Sequence, residues 1–195
     1  MESGKRVFNA KTVNNFLSKE EVDTLLDYAK SVDKWEAGGN EFWDNRSLNA
    51  IHIYNSMNKE VGKLLFNIRT RIQSVIVDAY NLDSLVYPDL TQLIRWFPGM
   101  EQPPHCDDMT NSEGNEWFAH RHYGAIIYLN DDYEGGNTFY PNYSVSVTPQ
   151  SGMLAVHPGD EEHLHGVSKI EKTTRYTVAS FWTRDKEYFD GWSIS

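Results

Sequence analysis

The stretch LHGVSKIEKTTRYTVASFWT (164–183) holds two short apolar runs with a polar break between them. In its second half, β-branched, small and aromatic residues dominate, the composition of a strand rather than a helix. Five further runs of this texture precede it: TQLIRWF (91–97), YGAIIYLN (123–130), NTFYP (137–141), YSVSVTP (143–149) and GMLAVHP (152–158). Gly135-Gly136 and Pro158-Gly159 mark two of the intervening turns. Seven strands at this spacing predict a sandwich or barrel over about residues 88–185.

Upstream, the texture is helical. FLSKEEVDTLLDYAKSV (16–32) opens with Ser18 and carries Glu21 three residues on, a capping-box signature; Val22, Leu25, Leu26 and Ala29 then recur at helical spacing. The segment 33–50 is rich in Gly, Asn and Asp and reads as loop or irregular strand. NAIHIYN (49–55) alternates like a strand, and NKEVGKLLFNIRTRIQSVIVDAY (58–80) reads as a long amphipathic helix. Helices followed by strands make the chain α+β, mainly β. With no linker between the parts, 1–195 is expected to be a single domain, helical to about residue 85.

The formal net charge of −10 argues against nucleic acid and anionic membranes as partners. The one cysteine, Cys106, forms no internal disulfide and supports no cysteine-based zinc or iron–sulfur site within the chain. The first sixteen residues hold no apolar run of the signal-peptide kind, and no stretch approaches the roughly 20 apolar residues of a membrane span. The expectation is a soluble, cytoplasmic protein, with oligomeric state unassigned.

Chemistry concentrates in QPPHCDDM (102–109). On an extended segment His105 and Asp107 point the same way and present an imidazole nitrogen and a carboxylate to one ion, with Cys106 facing away. Alone, the pair is as well explained by a solvated turn. His163 and His165, which also share a face, offer a third ligand. Two histidines and a carboxylate make the facial triad of non-haem Fe(II) oxygenases, which leaves coordination positions open for a chelating cosubstrate and O2. An acidic keto acid then needs a cation for its far carboxylate, and the planar fork of Arg175 suits that task.

His105-Cys106-Asp107, a long gap, His165, and Arg175 ten residues later together resemble the motif of the Fe(II)/2-oxoglutarate-dependent oxygenases, in particular their prolyl 4-hydroxylase-like branch. FLSKEEVDTLLDYAKS (16–31), RWFPGMEQPPHCD (95–107), RHYGAIIYLNDDYEGGNTFYP (121–141) and HGVSKIEKTTRYTVASFW (165–182) resemble further segments of that branch, so the likeness covers most of the chain. It implies a double-stranded β-helix (jelly-roll) core with flanking N-terminal helices. It implies iron on His105, Asp107 and His165, with His165 preferred to His163 by its spacing to Arg175. Arg175 and Tyr128 would hold 2-oxoglutarate, and no catalytic side chain is called for beyond the metal centre. Fe(II), 2-oxoglutarate, O2 and ascorbate are the implied cofactors and cosubstrates. The implied reaction hydroxylates an unactivated C–H bond, first of all in a prolyl residue of a peptide or protein, as 2-oxoglutarate and O2 become succinate and CO2. Another amino-acid residue or a small molecule is the alternative substrate, and a jelly-roll binding module without turnover or a zinc hydrolase is the alternative function.

Trp96 and Gln102 stand where the family has tyrosines bordering cosubstrate and substrate. With Trp43 and Arg46 of the loop AGGNEFWDNRSLN (37–49), expected to be a mobile lid, they make up the substrate region. The remaining candidates have plainer readings. His52 and His157 are structural, His157 being in phase to line the barrel; His120 and His122 flank a strand entrance; Arg121 forms a salt bridge at a strand start; and Trp182 is core. Acidic residues beside the motifs, among them Asp131, Asp132, Asp160, Glu161 and Glu162, read as solvated loops or as a rim favouring neutral or cationic substrates.

Overall fold

Ser18 opens the first helix as predicted. In the computed structural model, which describes residues 8–37, 41–109 and 118–194, α1 (Lys19–Ser31) starts behind a complete capping box: the Ser18 hydroxyl accepts from the Glu21 amide and the Glu21 carboxylate accepts from the Ser18 amide. A short strand, β1 (Lys11–Val13), precedes it. After β2 (Ser47–Asn49) the chain makes one helical turn, α2 (Ala50–His52), and runs straight into a π-helical turn at Ile53–Met57. This corrects the strand expected over NAIHIYN. The Asn49 side-chain oxygen accepts from the amides of Ile51 and His52, at 2.8 and 3.4 Å, which satisfies donors that a helix start leaves free. The fully buried residues are Ala50 and Ile53, three apart, so the segment uses helical spacing despite its alternation.

The long amphipathic stretch is α3 (Lys59–Ala79). It buries Val61, Leu65, Ile68, Ile72 and Ile76 along one stripe, each such side chain contributing about 1.5–3 kcal/mol. Gly62 lets the helix lie on the π-turn, since a Cβ there would come within 2.4 Å of the Tyr54 Cα. Lower down, the buried Arg69 grips the C-terminal segment. Its Nη1 donates to both Asp190 carboxylate oxygens, at 2.9 and 2.7 Å, and its Nη2 donates to the Trp192 carbonyl at 2.7 Å.

Ten strands follow α3 among the described residues. They are β3 (Tyr87–Trp96), β4 (Gln102–His105), β5 (Tyr123–Tyr128), β6 (Glu134–Gly135), β7 (Thr138–Tyr140), β8 (Val145–Val147), β9 (Leu154–Pro158), β10 (His165–Val167), β11 (Ile170–Glu171) and β12 (Arg175–Thr183). A six-stranded sheet has the order β1-β9-β5-β12-β3-β2, a four-stranded sheet the order β4-β10-β7-β8, and β11 pairs with β6. This is the predicted jelly-roll with its helices to one side.

The six-stranded sheet has two unlike faces because its strands alternate. Leu93, Ile127, Leu154, Val156 and Val178 meet Leu25 of α1 and Leu65, Ile68 and Ile72 of α3 in one apolar cluster. On the opposite face, Ile94, Trp96 and Ala179 meet Val167 of the smaller sheet, and Tyr128, Met153 and Ala155 pack beside Val147 of β8. A register shift between Phe181 and Trp182 interrupts the alternation of β12, and Trp182 joins the helix-side core as expected. The space between the two sheets receives the polar residues of the site. No helix among the described residues is long and apolar enough to cross a membrane.

Candidate metal centre

His105 ends β4 and His165 begins β10, and the antiparallel pairing of these strands sets the two residues opposite each other. Their ring centres are 4.5 Å apart. Asp107 arrives from the turn after β4, which is pinned to the end of β9: the amides of Asp107 and Asp108 both donate to the Gly159 carbonyl, at 3.0 and 3.1 Å. One ligand-type atom from each of His105, Asp107 and His165 lies within 4.8 Å of the others, the only such group among the described residues. Cys106, between two of them, is a buried free thiol that burial pushes up to about 11, which leaves it unreactive.

The two imidazoles are fixed in the tautomer that a metal requires. A carbonyl oxygen only accepts, so Nδ1–H of His165 donates to the His163 carbonyl and Nδ1–H of His105 to that of Pro103, each at 3.1 Å. In both rings this puts the lone pair on Nε2, the atom that would bind an ion. Burial first, then the neighbouring His157, pushes His165 down to about 3, so it is neutral at ordinary pH. The Gln102 side-chain amide lies 3.3 Å from His105 Nε2 and donates to that lone pair.

Asp107 is 5% exposed. Its Oδ1 is 3.6 Å from His165 Nε2; its Oδ2 has no hydrogen-bond partner among the described residues and lies 3.9 Å from His157 Nε2. The carboxylate fits there because residue 124 has no side chain. A Cβ on Gly124 would sit 2.1 Å from Asp107 Oδ2 and 2.6 Å from the His157 ring. His157 therefore lines the barrel, as its phase suggested, and also abuts the triad. His163, the rival ligand, lies outside the group: its Nδ1–H donates to Asp160 Oδ1 at 2.7 Å and its ring packs against Tyr143, and its Nε2 does not come within reach of the other ligand atoms.

Arg175 begins β12, opposite Trp96 on β3, and is 1% exposed. Its guanidinium carbon is 5.2 Å from the centre of the Tyr128 ring and 5.5 Å from that of Trp96. Nε and Nη2, adjacent donors on one edge of the fork, complete no hydrogen bond among the described residues, although the guanidinium lies close enough to the Tyr128 and Tyr133 hydroxyls to work against the upward push of burial on both. Around them, the hydroxyls of Tyr133 and Tyr140 and the indole N–H of Trp96 are likewise buried and unpartnered. The Tyr128 hydroxyl shares a 2.7 Å hydrogen bond with Thr138. Burial raises Tyr128 and pushes Tyr133 up to about 12, so both hydroxyls keep their protons. Each unpartnered buried group costs about 1–3 kcal/mol. Collected along one interior, with a carboxylate-shaped fork at one end and a ligand triad in the same barrel, they fit an elongated dicarboxylate such as 2-oxoglutarate.

The loop expected to be a lid is only partly a loop. Residues 38–40 lie outside the described residues, Glu36 bridges to Ser47, and Ser47–Asn49 is β2. Arg46 is buried at 1% exposure rather than presented to solvent, and Trp43 packs edge-on against Trp96. Arg121 makes the expected salt bridge, to Asp89 at 2.8 Å; His120 joins it and stacks on Tyr188. His52 lies on the surface, 3.3 Å from Glu36. Sequence reasoning passed over Thr138, Tyr133 and Tyr140. The period-two alternation of Thr138 and Tyr140 in NTFYP was the signal that could have found two of them.

Comparison with known proteins agrees with this geometry. Residues 91–184 match the model of the 2OG-Fe(II) oxygenase superfamily. Human prolyl 3-hydroxylase 2 is 26% identical over 148 residues, covering 65% of this chain but only 21% of that protein, so the chain spans about a fifth of its length. A viral collagen prolyl hydroxylase from Paramecium bursaria Chlorella virus-1, solved with 2-oxoglutarate, shares the fold with a TM-score of 0.69 at 16% identity, covering 94% of this chain and 98% of its own. A Trichoplax adhaerens prolyl hydroxylase, solved with a peptide fragment of a hypoxia inducible factor, does so with a TM-score of 0.66 at 18% identity, over 93% and 86%. In its matched segment, its jelly-roll and its triad, the chain is similar to the 2OG-Fe(II) oxygenase superfamily, and the branch it resembles is the prolyl 4-hydroxylase-like one.

Proposed function

We propose that the protein is an Fe(II)/2-oxoglutarate-dependent dioxygenase that hydroxylates a prolyl residue of a peptide or protein, with 2-oxoglutarate and O2 consumed to succinate and CO2. The observation that carries this reading is the buried group His105, Asp107 and His165, which shares one barrel interior with the unpartnered fork of Arg175. In this reading the Nε2 atoms of the two histidines and one Asp107 oxygen hold iron, while Arg175 and Tyr128, with Thr138 behind it, hold the far carboxylate of 2-oxoglutarate. Iron with its cosubstrates supplies the oxidising power. The chain supplies fixed imidazole tautomers, a dry interior walled by Trp96, Tyr128 and Tyr140, and donors aimed before the ligand arrives.

The prolyl substrate is supported by the similarity to prolyl 3-hydroxylases and to the fold of peptide-acting enzymes. Trp43, Trp96 and Gln102 are assigned to the substrate side. Gln102 and Trp96 stand in place of the tyrosines of resembling hydroxylases, which favours as second reading the same chemistry on another residue or on a small molecule. Ascorbate as reductant and a cytoplasmic setting, consistent with the buried free thiol of Cys106, complete the proposal.

The test is succinate formation under air with Fe(II) and ascorbate, for wild type and His165→Ala, with and without proline-containing peptides. Wild-type turnover stimulated by such peptides and abolished by the substitution is the expected result. Turnover that no prolyl peptide stimulates selects the second reading. No succinate from an iron-loaded wild type refutes the oxygenase.

A further inference from the structure

Arg46 is an unusual residue to find buried. Its guanidinium carbon lies 4.0 Å from the ring centre of Trp96, 4.4 Å from that of Phe42 and 4.8 Å from that of Trp43. Nη1 donates to the Phe42 carbonyl at 2.7 Å, and Nε to the Arg95 carbonyl at 3.3 Å. Nη2 has no partner among the described residues. The pairing of β2 with β3 brings Arg46 to the end of β3 where Trp96 sits, and the pairing of β3 with β12 brings Arg175 to the same place. Trp96 is thus flanked by two buried guanidiniums, neither with an acidic partner among the described residues. Burial first, then the like charge of Arg175, pulls Arg46 down to about 10.

A purely structural arginine is built differently in this molecule. Arg69 is as deeply placed, but its charge is met by Asp190 and its remaining fork by the Trp192 carbonyl. The aromatic rings offset only part of the charge, so two buried like charges with no acidic partner among the described residues are costly, and the cost is recovered when an anion arrives. A carboxylate has about four acceptor sites, enough for the Nε–Nη2 edge of Arg175 and for a further donor.

Building on the oxygenase reading, we propose that Arg46 is a second anchor for the far carboxylate of the keto acid, joining Arg175 across Trp96 and selecting dicarboxylate over monocarboxylate keto acids. Neither the superfamily match nor the motif spacing assigns this role, since Arg46 lies well before the matched segment.

The experiment is an anaerobic titration of the Fe(II)-loaded protein, following the visible absorption that keto-acid chelation of iron produces. It is run with 2-oxoglutarate and with pyruvate, which lacks the far carboxylate, on wild type, Arg46→Met and Arg46→Gln. Both substitutions are expected to weaken 2-oxoglutarate by about tenfold or more, the effect of one lost charge-assisted contact, and to leave pyruvate unchanged. Gln serves as the reference should Met fail to fold. An unchanged 2-oxoglutarate affinity overturns the proposal, as does an equal loss for both acids, which would mark Arg46 as a packing residue. If wild type develops no absorption with either acid, the oxygenase reading itself fails, and this inference with it.

Discussion

Replacing Gly124 with alanine isolates the metal site from the fold. The added Cβ would lie 2.1 Å from Asp107 Oδ2, against an ordinary contact of about 3.5 Å, so the carboxylate must retreat by more than about 1 Å. It cannot simply push the other neighbour aside. The His157 ring, 2.6 Å from the same Cβ, is 1% exposed and held by its Nδ1–H donation to the Pro158 carbonyl at 3.1 Å. The end of a side chain moves cheaply, so the cost to folding is that of modest overpacking, about 1–3 kcal/mol. A metal ligand tolerates far less, about 0.2 Å in its bond length. Iron affinity should therefore fall by about 100-fold, toward that of Asp107→Ala, while the protein stays folded. Urea unfolding of the metal-free protein gives the first quantity and anaerobic Fe(II) titration the second. Gly191→Ala is the control, because its Cβ would meet nothing within 4 Å and its φ of 74° strains the backbone far from the site. A Gly124→Ala protein that binds iron like wild type would refute the claim that this glycine makes room for the carboxylate.

Metal-free stability should fall on acidification. Burial depresses His157 to about 4 and His165 to about 3, whereas both titrate near 6.5 in the unfolded chain, so the unfolded state binds more protons between these values. Their contribution is full above about pH 6.5 and is lost as pH drops toward 4, by at most about 1.4 kcal/mol per unit per histidine; a flat denaturation profile across this window would contradict the assignment. Arg69→Met should cost about 3–5 kcal/mol, because it leaves Asp190 buried and unpaired, and the loss should be visible in urea unfolding. Ile72→Ala, in the middle of the α3 stripe, should cost about 2–5 kcal/mol and leave keto-acid binding intact in the surviving folded fraction.

What the sequence made legible was whatever had a period or a fixed spacing. α3 and the strands repeat, and His105, Asp107, His165 and Arg175 stand at a readable spacing, although Asp107 reaches the group from the turn after β4 and not by the strand alternation expected of it. NAIHIYN misled because a single Asn cap, acting over three residues, outweighed a weak alternation. Arg46 is expected in a mobile lid because Gly and Asn surround it; its burial arises from Phe42, Trp43 and the remote Trp96, which no local pattern connects. Gly124 carried no readable role, and the phase of His157 placed it in the barrel but not beside Asp107, since what matters about both is their distance from that carboxylate.

The attachment of Asp107 to Gly159 has a consequence of its own. His105 and His165 belong to the smaller sheet, but the turn carrying Asp107 is tied to the strand that leaves the larger one. An ion held by all three would be a rivet through both layers of the sandwich, placed where no strand pairing among the described residues joins them. Loss of the ion would unfasten that corner first. Proteolysis and amide exchange around residues 102–109 would then report the metal state of the protein without any assay of its chemistry.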